Sequence, residues 1–187
     1  MFKNMREYSH EEFVDIVKNS NENEILDLSA HYGGYPVFFR MALDERLAHI
    51  PFIQTGSSVI VRNERGEILL QQRADIGCWG LPGGCQDLGE DLRDTAVREL
   101  FEETGIKVSP TDLVLIDVIS GQSRKSSYPN GDIVYNNSNL YFVEVNSSDV
   151  DLKLDSESTQ AAFFAIDNLP EPLFETDLIE AYINYAK

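Results

Sequence analysis

Residues 83–106 read GGCQDLGEDLRDTAVRELFEETGI, and this stretch decides the fold. Residues 91–104 contain neither Pro nor Gly. Their apolar side chains recur at the three- and four-residue intervals of a helix, at Leu92, Ala96, Val97, Leu100 and Phe101. Gly105 is the residue type that adopts a left-handed conformation after a helix end. The pattern predicts a glycine loop followed by a helix over residues 91–104.

Three carboxylates crowd one flank of this predicted helix. At about 100° per residue, Glu99, Glu102 and Glu103 fall within an arc of roughly 100° beside the apolar stripe. Carboxylates about 6 Å apart repel each other by a few kcal/mol at an effective dielectric constant of about 20, and a divalent cation relieves that repulsion. Oxygen ligands without nearby His or Cys favour Mg²⁺ or Mn²⁺ over zinc. The alternative is a solvated acidic helix face, which charge runs usually are.

The spacing of residues in and before the helix resembles the complete signature of the Nudix hydrolases. The signature positions are Gly84, Glu90, Arg98-Glu99-Leu100, Glu102-Glu103 and Gly105-Ile106. The resemblance extends upstream through Gln71-Gln72-Arg73 and residues 77–84, and it covers the chain from about residue 54 to 187. It implies an α/β structure, the Nudix fold, in which a mixed β-sheet is sandwiched between helices. It also implies hydrolysis of a nucleoside diphosphate linked to another moiety, by attack of metal-activated water at phosphorus.

The resemblance implies a role for each signature residue. The metal ligands are expected to be the helix carboxylates Glu99, Glu102 and Glu103, with the Gly83 carbonyl as a further ligand. The positions expected to shape the loop and helix are Gly84, Glu90, Arg98 and Gly105, with Glu90 and Arg98 bracing the loop against the helix. Asp87 departs from the family, where many members have Glu, and its shorter reach could alter an outer metal contact.

The reaction also needs a group that takes a proton from the attacking water. Glu99 or another of the three helix carboxylates is the first candidate. Glu157 is the second, because it lies just before a predicted strand and the base of this family is not always on the helix. The alternative interpretation of Glu157 is an exposed loop acid.

Composition limits the possible partners. The 187 residues carry a formal charge of −17, with 32 acidic against 15 basic residues, which disfavours nucleic-acid polymers and anionic membranes. No apolar run approaches the ~20 residues of a membrane span, and the start lacks a signal-peptide hydrophobic region, so we expect a cytoplasmic protein. Cys78 and Cys85 are too few for a disulfide framework or a zinc site, and we interpret them as free thiols.

We predict two parts, a helical N-terminal extension over residues 1–53 and a Nudix hydrolase domain over residues 54–187. A capping box at residues 9–12 predicts a first short helix, and further helical segments are predicted over 24–31 and 37–49. In the second part, strands are predicted over 56–62, 67–73, 113–120, 140–145 and 161–166, a returning strand begins at 133, and a helix covers 174–185. The extension could pad the domain, cover the substrate or supply the interface of a homodimer.

Three residues are candidates for substrate binding. Arg73 follows a predicted strand near the glycine loop and could contact phosphate, although a surface salt bridge is the alternative. Trp79 and Tyr135 could stack on a base, or both could belong to the core. The segment Tyr128-Pro129-Asn130-Gly131-Asp132 resembles an element of a bacterial MutT-like branch of the family, and it implies no secure substrate.

The sequence therefore predicts a Mg²⁺-dependent pyrophosphohydrolase of a small nucleotide. We rank a nucleoside diphosphate linked to a sugar or alcohol, such as ADP-ribose or a nucleotide sugar, above a noncanonical (oxidised) nucleoside triphosphate. The alternative of another class is a noncatalytic module that binds a nucleotide to regulate something else. Loss of a signature carboxylate would favour that module, and none is lost.

Overall fold

The computed structural model describes residues 9–21, 23–24, 51–127 and 133–187, without the side chains of His10 and Phe13. In these residues the helices are α1 His10–Asn19, α2 Leu92–Thr104 and α3 Thr176–Tyr185. The strands are β1 Phe52–Arg62, β2 Ile68–Arg73, β3 Trp79–Gly80, β4 Gly83–Cys85, β5 Val114–Ile119, β6 Lys125–Ser127, β7 Ile133–Glu144 and β8 Ser158–Phe164. Short 3₁₀ turns cover Pro110–Asp112, Gln122–Arg124 and Ser147–Asp149.

The chain divides into two compact units. Among the described residues, the first unit contains α1, residues 51–54, 87–89, 120–127 and 133–136, and the second contains residues 55–86, 90–119 and 137–187. In the first unit, β6 pairs antiparallel with the start of β7. The capping box predicted at the start of α1 is present, since Ser9 and Glu12 exchange side-chain to backbone hydrogen bonds. The helices predicted over 24–31 and 37–49 lie outside the described residues except at residue 24.

The second unit is built on a sheet in the order β3-β2-β1-β7-β5. Strand β4 pairs antiparallel with β1, and β8 pairs antiparallel with β2, while Trp79 makes a parallel bridge to Leu173. Alternate residues of β1 face opposite sides of the sheet. Val59 and Val61 pack in a buried cluster with the α2 residue Leu100, and Ile60 packs in a second cluster with the α3 residue Leu178.

The predicted sandwich of a mixed sheet between helices is therefore confirmed. The strand bounds differ from the prediction mainly in β7, which is one strand from residue 133 to 144. The run Asn136-Asn137-Ser138-Asn139 hid this continuity, because Asn is depleted in strands. No helix in the described ranges is long and apolar enough to cross a bilayer.

Candidate active site

The glycine loop is held against the sheet by β4. Gly83 pairs with Ser58 of β1, and Gly84 pairs with Ser57. The φ of Gly83 is 154°, which L side chains rarely adopt. Ser57 Oγ also donates a hydrogen bond of 2.7 Å to the Leu92 carbonyl in the first turn of α2. The same strand therefore positions both the loop and the start of the helix.

Helix α2 begins and ends as its sequence predicts. The Asp91 side chain accepts a hydrogen bond from the Arg93 N–H as the N-cap. At the other end Gly105 has φ 76°, and its N–H donates to the Phe101 carbonyl at 2.8 Å. The buried side of the helix includes one carboxylate among otherwise small or apolar side chains, namely Thr95, Ala96, Leu100, Glu103 and Thr104.

Glu103 is the buried carboxylate of the site. It is 5% exposed, and its Oε2 accepts a hydrogen bond of 2.7 Å from the Gly83 N–H. Burial raises the pKa of Glu103 to about 8, against the opposing hydrogen bonds from Gly83 and from the Gln71 side chain. Helix and loop are thus joined through a carboxylate that is costly to ionise in the absence of a cation.

Glu99 lies directly over the second glycine of the loop. A Cβ atom on Gly84 would stand 2.5 Å from the Glu99 carboxyl carbon, so a larger residue there would push the Glu99 carboxylate aside. Burial raises the pKa of Glu99 to about 7, although the neighbouring Arg98 guanidinium lowers it and the Glu102 charge raises it. The close approach of loop and carboxylate explains the glycine at position 84.

The Arg98 guanidinium connects the loop to the carboxylates of Glu90, Glu99 and Glu102. Its Nε and Nη2 donate to the two oxygens of Glu90 at 2.8 and 2.9 Å, and Nη2 also donates to the Cys85 carbonyl at 2.9 Å. Its Nη1 donates to Glu99 at 2.7 Å and to Glu102 at 3.2 Å. The guanidinium therefore ties loop and helix together and partly neutralises the acidic cluster.

The three helix carboxylates are ligands of the type that binds a divalent cation. Glu99, Glu102 and Glu103 stand at i, i+3 and i+4, so their side chains are neighbours on one helix flank, and carboxylate oxygens are the ligands that Mg²⁺ and Mn²⁺ prefer. In the described parts of the chain no three Asp, Glu, His or Cys side chains already converge on one point. Glu99 and Glu102 are turned toward Arg98, and Glu103 toward Gly83. These side chains would have to rotate to share one cation.

The structure places Arg73 and Glu157 beside this cluster. The Arg73 guanidinium forms two hydrogen bonds of 3.0 Å with the Asp75 carboxylate, and it interacts electrostatically with Glu103 and Glu157. Glu157 is exposed, its carbonyl accepts a hydrogen bond from the Ala74 N–H at 2.7 Å, and its charge acts on Glu99. Arg73 therefore has the salt bridge that was its alternative interpretation, and the roles of both residues stay predictions.

The two aromatic candidates belong to different units of the structure. Trp79 is 9% exposed and packs edge-on against Phe164 at 5.0 Å between ring centroids, so its ring belongs to the core cluster on the α3 side. Tyr135 lies in the first unit, opposite Lys125 of β6. Their stacking roles stay predictions, as does the metal contact of Asp87, which also lies in the first unit.

Sequence reasoning missed one residue of the site, Gln71. It is 2% exposed, and its side-chain amide opposes the rise in the pKa of Glu103. A signal was available, because Gln71 precedes Arg73 by two positions on a predicted strand and must share its face.

Comparisons with known proteins agree with this geometry. The family model described as NUDIX domain matches residues 53–183. An ADP-ribose pyrophosphatase of Methanocaldococcus jannaschii is 32% identical over 110 residues, which cover 58% of this chain and 59% of that protein. A Bacillus subtilis protein provisionally named 8-oxo-dGTP diphosphatase is 54% identical over 50 residues, which cover 27% and 34% of the two chains. The chain thus spans less than two thirds of the length of these relatives.

Solved structures show the same fold. The MutT NUDIX hydrolase from Burkholderia pseudomallei has a TM-score of 0.57 at 27% identity, covering 70% of this chain and 97% of that one. The NUDIX domain of Shewanella oneidensis NrtR, complexed with ADP ribose, has a TM-score of 0.57 at 17% identity, covering 90% and 100%. At 17% identity, the likeness to the NrtR domain shows a shared fold alone.

Proposed function

The chain belongs to the NUDIX domain family, and on this premise we propose that it is a metal-dependent pyrophosphohydrolase. Its substrate would be a small nucleotide in which a diphosphate links a nucleoside to another moiety. The observation that carries the proposal is the buried Glu103, held by the Gly83 N–H beside a second carboxylate, Glu99, whose pKa is also raised. Two such carboxylates on one helix flank are costly for the metal-free fold and suited to binding a cation.

Glu99, Glu102 and Glu103 would hold the Mg²⁺ or Mn²⁺, with the Gly83 carbonyl as the further ligand that the family resemblance implies. The bound cation would neutralise the diphosphate oxygens and lower the pKa of a water molecule. Arg98 and Glu90 keep the loop and the helix in register, since both Glu90 oxygens are engaged by the one guanidinium. These hydrogen bonds set the positions of the carboxylates before a ligand binds.

The proton of the attacking water would pass to a carboxylate near the cluster. Glu99 and Glu103 are candidates because burial raises the pKa of each toward neutrality, where a general base works best. Glu157 is the third candidate, since its charge acts on Glu99 from the neighbouring turn. Arg73 would exchange its partner Asp75 for a substrate phosphate, which offers the same planar pair of acceptor oxygens.

Among substrates we rank ADP-ribose and nucleotide sugars first. The relative named ADP-ribose pyrophosphatase matches 58% of this chain, whereas the relative named for 8-oxo-dGTP matches 27%. The charge of −17 favours a small nucleotide over a nucleic-acid polymer or a membrane surface. Oxidised nucleoside triphosphates are the second candidate class. The cytoplasmic location, the homodimer and the domain boundary at residues 53 and 54 stay predictions.

The proposal is tested by following the release of the nucleoside monophosphate from a nucleotide panel, by chromatography, with and without Mg²⁺. The panel contains ADP-ribose, nucleotide sugars, CDP-alcohols and oxidised triphosphates, and the proteins are the wild type, Glu103→Gln and the control Glu180→Gln. Glu180 is an exposed residue of α3. We expect metal-dependent turnover of one panel member that falls at least ~100-fold in Glu103→Gln and is unchanged in the control. Metal binding without turnover of any member would favour the noncatalytic nucleotide-binding module.

A further inference from the structure

Two buried polar side chains near the carboxylate cluster have atoms that the proposed reaction does not use. Gln71 on β2 is 2% exposed, and Ser158 at the start of β8 is 8% exposed. Within the described part of the chain, neither Gln71 Oε1 nor Ser158 Oγ has a hydrogen-bond partner. A buried polar atom that is left unpaired destabilises the fold. Both atoms therefore require an explanation.

The position of Gln71 connects it to the site. Gln71 and Arg73 lie on the same face of β2, because alternate residues of a strand share a face. That face carries Leu69, which packs in the buried cluster with Leu100 of α2. The Gln71 amide stabilises the ionised form of the Glu103 carboxylate, and its Oε1 is the atom that has no hydrogen-bond partner among the described residues.

Ser158 joins the same face through an irregularity in the pairing of β2 with β8. Gln72 pairs with Gln160, but Arg73 pairs with Ser158, so the extra residue Thr159 interrupts the register. The Thr159 hydroxyl bonds the carbonyl and the side chain of Gln72. Such a bulge re-aims the next side chain. Because paired residues point to the same side, Ser158 shares the face of Arg73, diagonal to Gln71.

We propose that Gln71 is a positioning residue for Glu103, and that Gln71 Oε1 and Ser158 Oγ hold ordered water in a buried layer that fixes this carboxylate. A polar recess lined by such acceptors is the setting in which buried water is found. Hydrogen-bonding partners behind a metal ligand typically change metal affinity by about 10- to 100-fold when removed. The inference rests on the proposed function, because it takes Glu103 to be a metal ligand.

The test measures Mn²⁺ binding, which does not require turnover. Free Mn²⁺ is titrated by its electron paramagnetic resonance signal with the wild type, Gln71→Met, Ser158→Ala and the control Gln160→Met. Gln160 is the matched control because it carries the same side chain as Gln71, is exposed and pairs with Gln72, so it lies on the opposite face from Gln71. The melting temperature of each protein in EDTA shows whether it is folded.

We expect the Kd for Mn²⁺ to rise about 10-fold or more in Gln71→Met and about 2- to 5-fold in Ser158→Ala, with Gln160→Met within twofold of the wild type. A folded Gln71→Met with wild-type affinity would overturn the inference. If Gln71→Met does not fold, an unchanged Kd in Ser158→Ala overturns the buried layer. A wild type that binds no Mn²⁺ would instead refute the proposed function.

Discussion

At the scale of single residues, the Glu99 carboxylate fills the space above Gly84. A methyl group there would stand 2.5 Å from Glu99, whereas one on Gly80 would meet Phe174 at an ordinary 3.7 Å. We expect Gly84→Ala to displace Glu99 and lower kcat/KM by about 10- to 100-fold, because a displacement of about 1 Å can cost that much. The matched change Gly80→Ala should stay within about threefold. Equal effects of the two substitutions on kcat/KM would contradict this account of Gly84.

The buried carboxylates also predict a pH dependence of stability. Folding raises the pKa of Glu103 to about 8 and that of Glu99 to about 7 from the ordinary carboxyl value of 4.5. The folded state therefore binds more protons, and stability present below about pH 4.5 is lost as the pH rises toward 8. Since one pKa unit is about 1.4 kcal/mol, the loss amounts to several kcal/mol for the metal-free protein.

Melting temperatures in EDTA between pH 5.5 and 9 check this prediction. The wild type should lose several degrees across the window, and Glu103→Gln should lose less because its amide does not ionise. The exposed control Glu180→Gln should follow the wild type. Curves of equal slope for wild type and Glu103→Gln would show that Glu103 titrates normally.

At the scale of elements, Arg98 joins α2 to the glycine loop through Glu90 and the Cys85 carbonyl. Lysine offers one ammonium group and cannot satisfy these partners together. We expect Arg98→Lys to lower the free energy of unfolding by about 2 kcal/mol and kcat by at least about 10-fold. Arg65→Lys, in an exposed turn, should stay within about 0.5 kcal/mol. Urea denaturation measures the free energy of unfolding, and steady-state kinetics measure kcat. An unaltered kcat in Arg98→Lys would show that the contact of Arg98 with the loop is not needed for catalysis.

The same elements show what the sequence could predict. Helix α2 was predictable because its apolar spacing, its stop at Gly105 and its carboxylates are local features. Sequence spacing placed Glu102 and Glu103 on one flank, but it could not tell that Glu103 is 5% exposed while the Glu102 side chain is 53% exposed. That difference arises from where β4 places Gly83, which is a long-range contact. The bulge that turns Ser158 inward depends on strand pairing and was equally hidden.

At the scale of the whole molecule, the two faces of the sheet have different roles. The α2 face carries the buried carboxylate Glu103 and its partner Gln71 beside the apolar core. The α3 face is packed by large side chains, including Trp79 and Tyr182. The sequence of β1 and β2 shows continuous apolar runs at residues 59–61 and 68–70, which indicate burial on both faces, but the assignment of each face to a helix required the folded chain. For this reason Trp79 could not be assigned to the core from the sequence.

The charge of −17 sets how a phosphate substrate approaches the molecule. A polyanionic nucleotide is repelled at long range, and salt screens that repulsion over a Debye length of about 10 Å at 0.1 M. We therefore expect kcat/KM to rise about two- to threefold between 20 and 200 mM KCl at saturating Mg²⁺, with kcat nearly constant because bound substrate is held by local contacts. Initial rates at low substrate concentration measure this, with sucrose at matched viscosity as the control. A falling kcat/KM would mean that local cations such as Arg73, rather than the net charge, govern substrate capture.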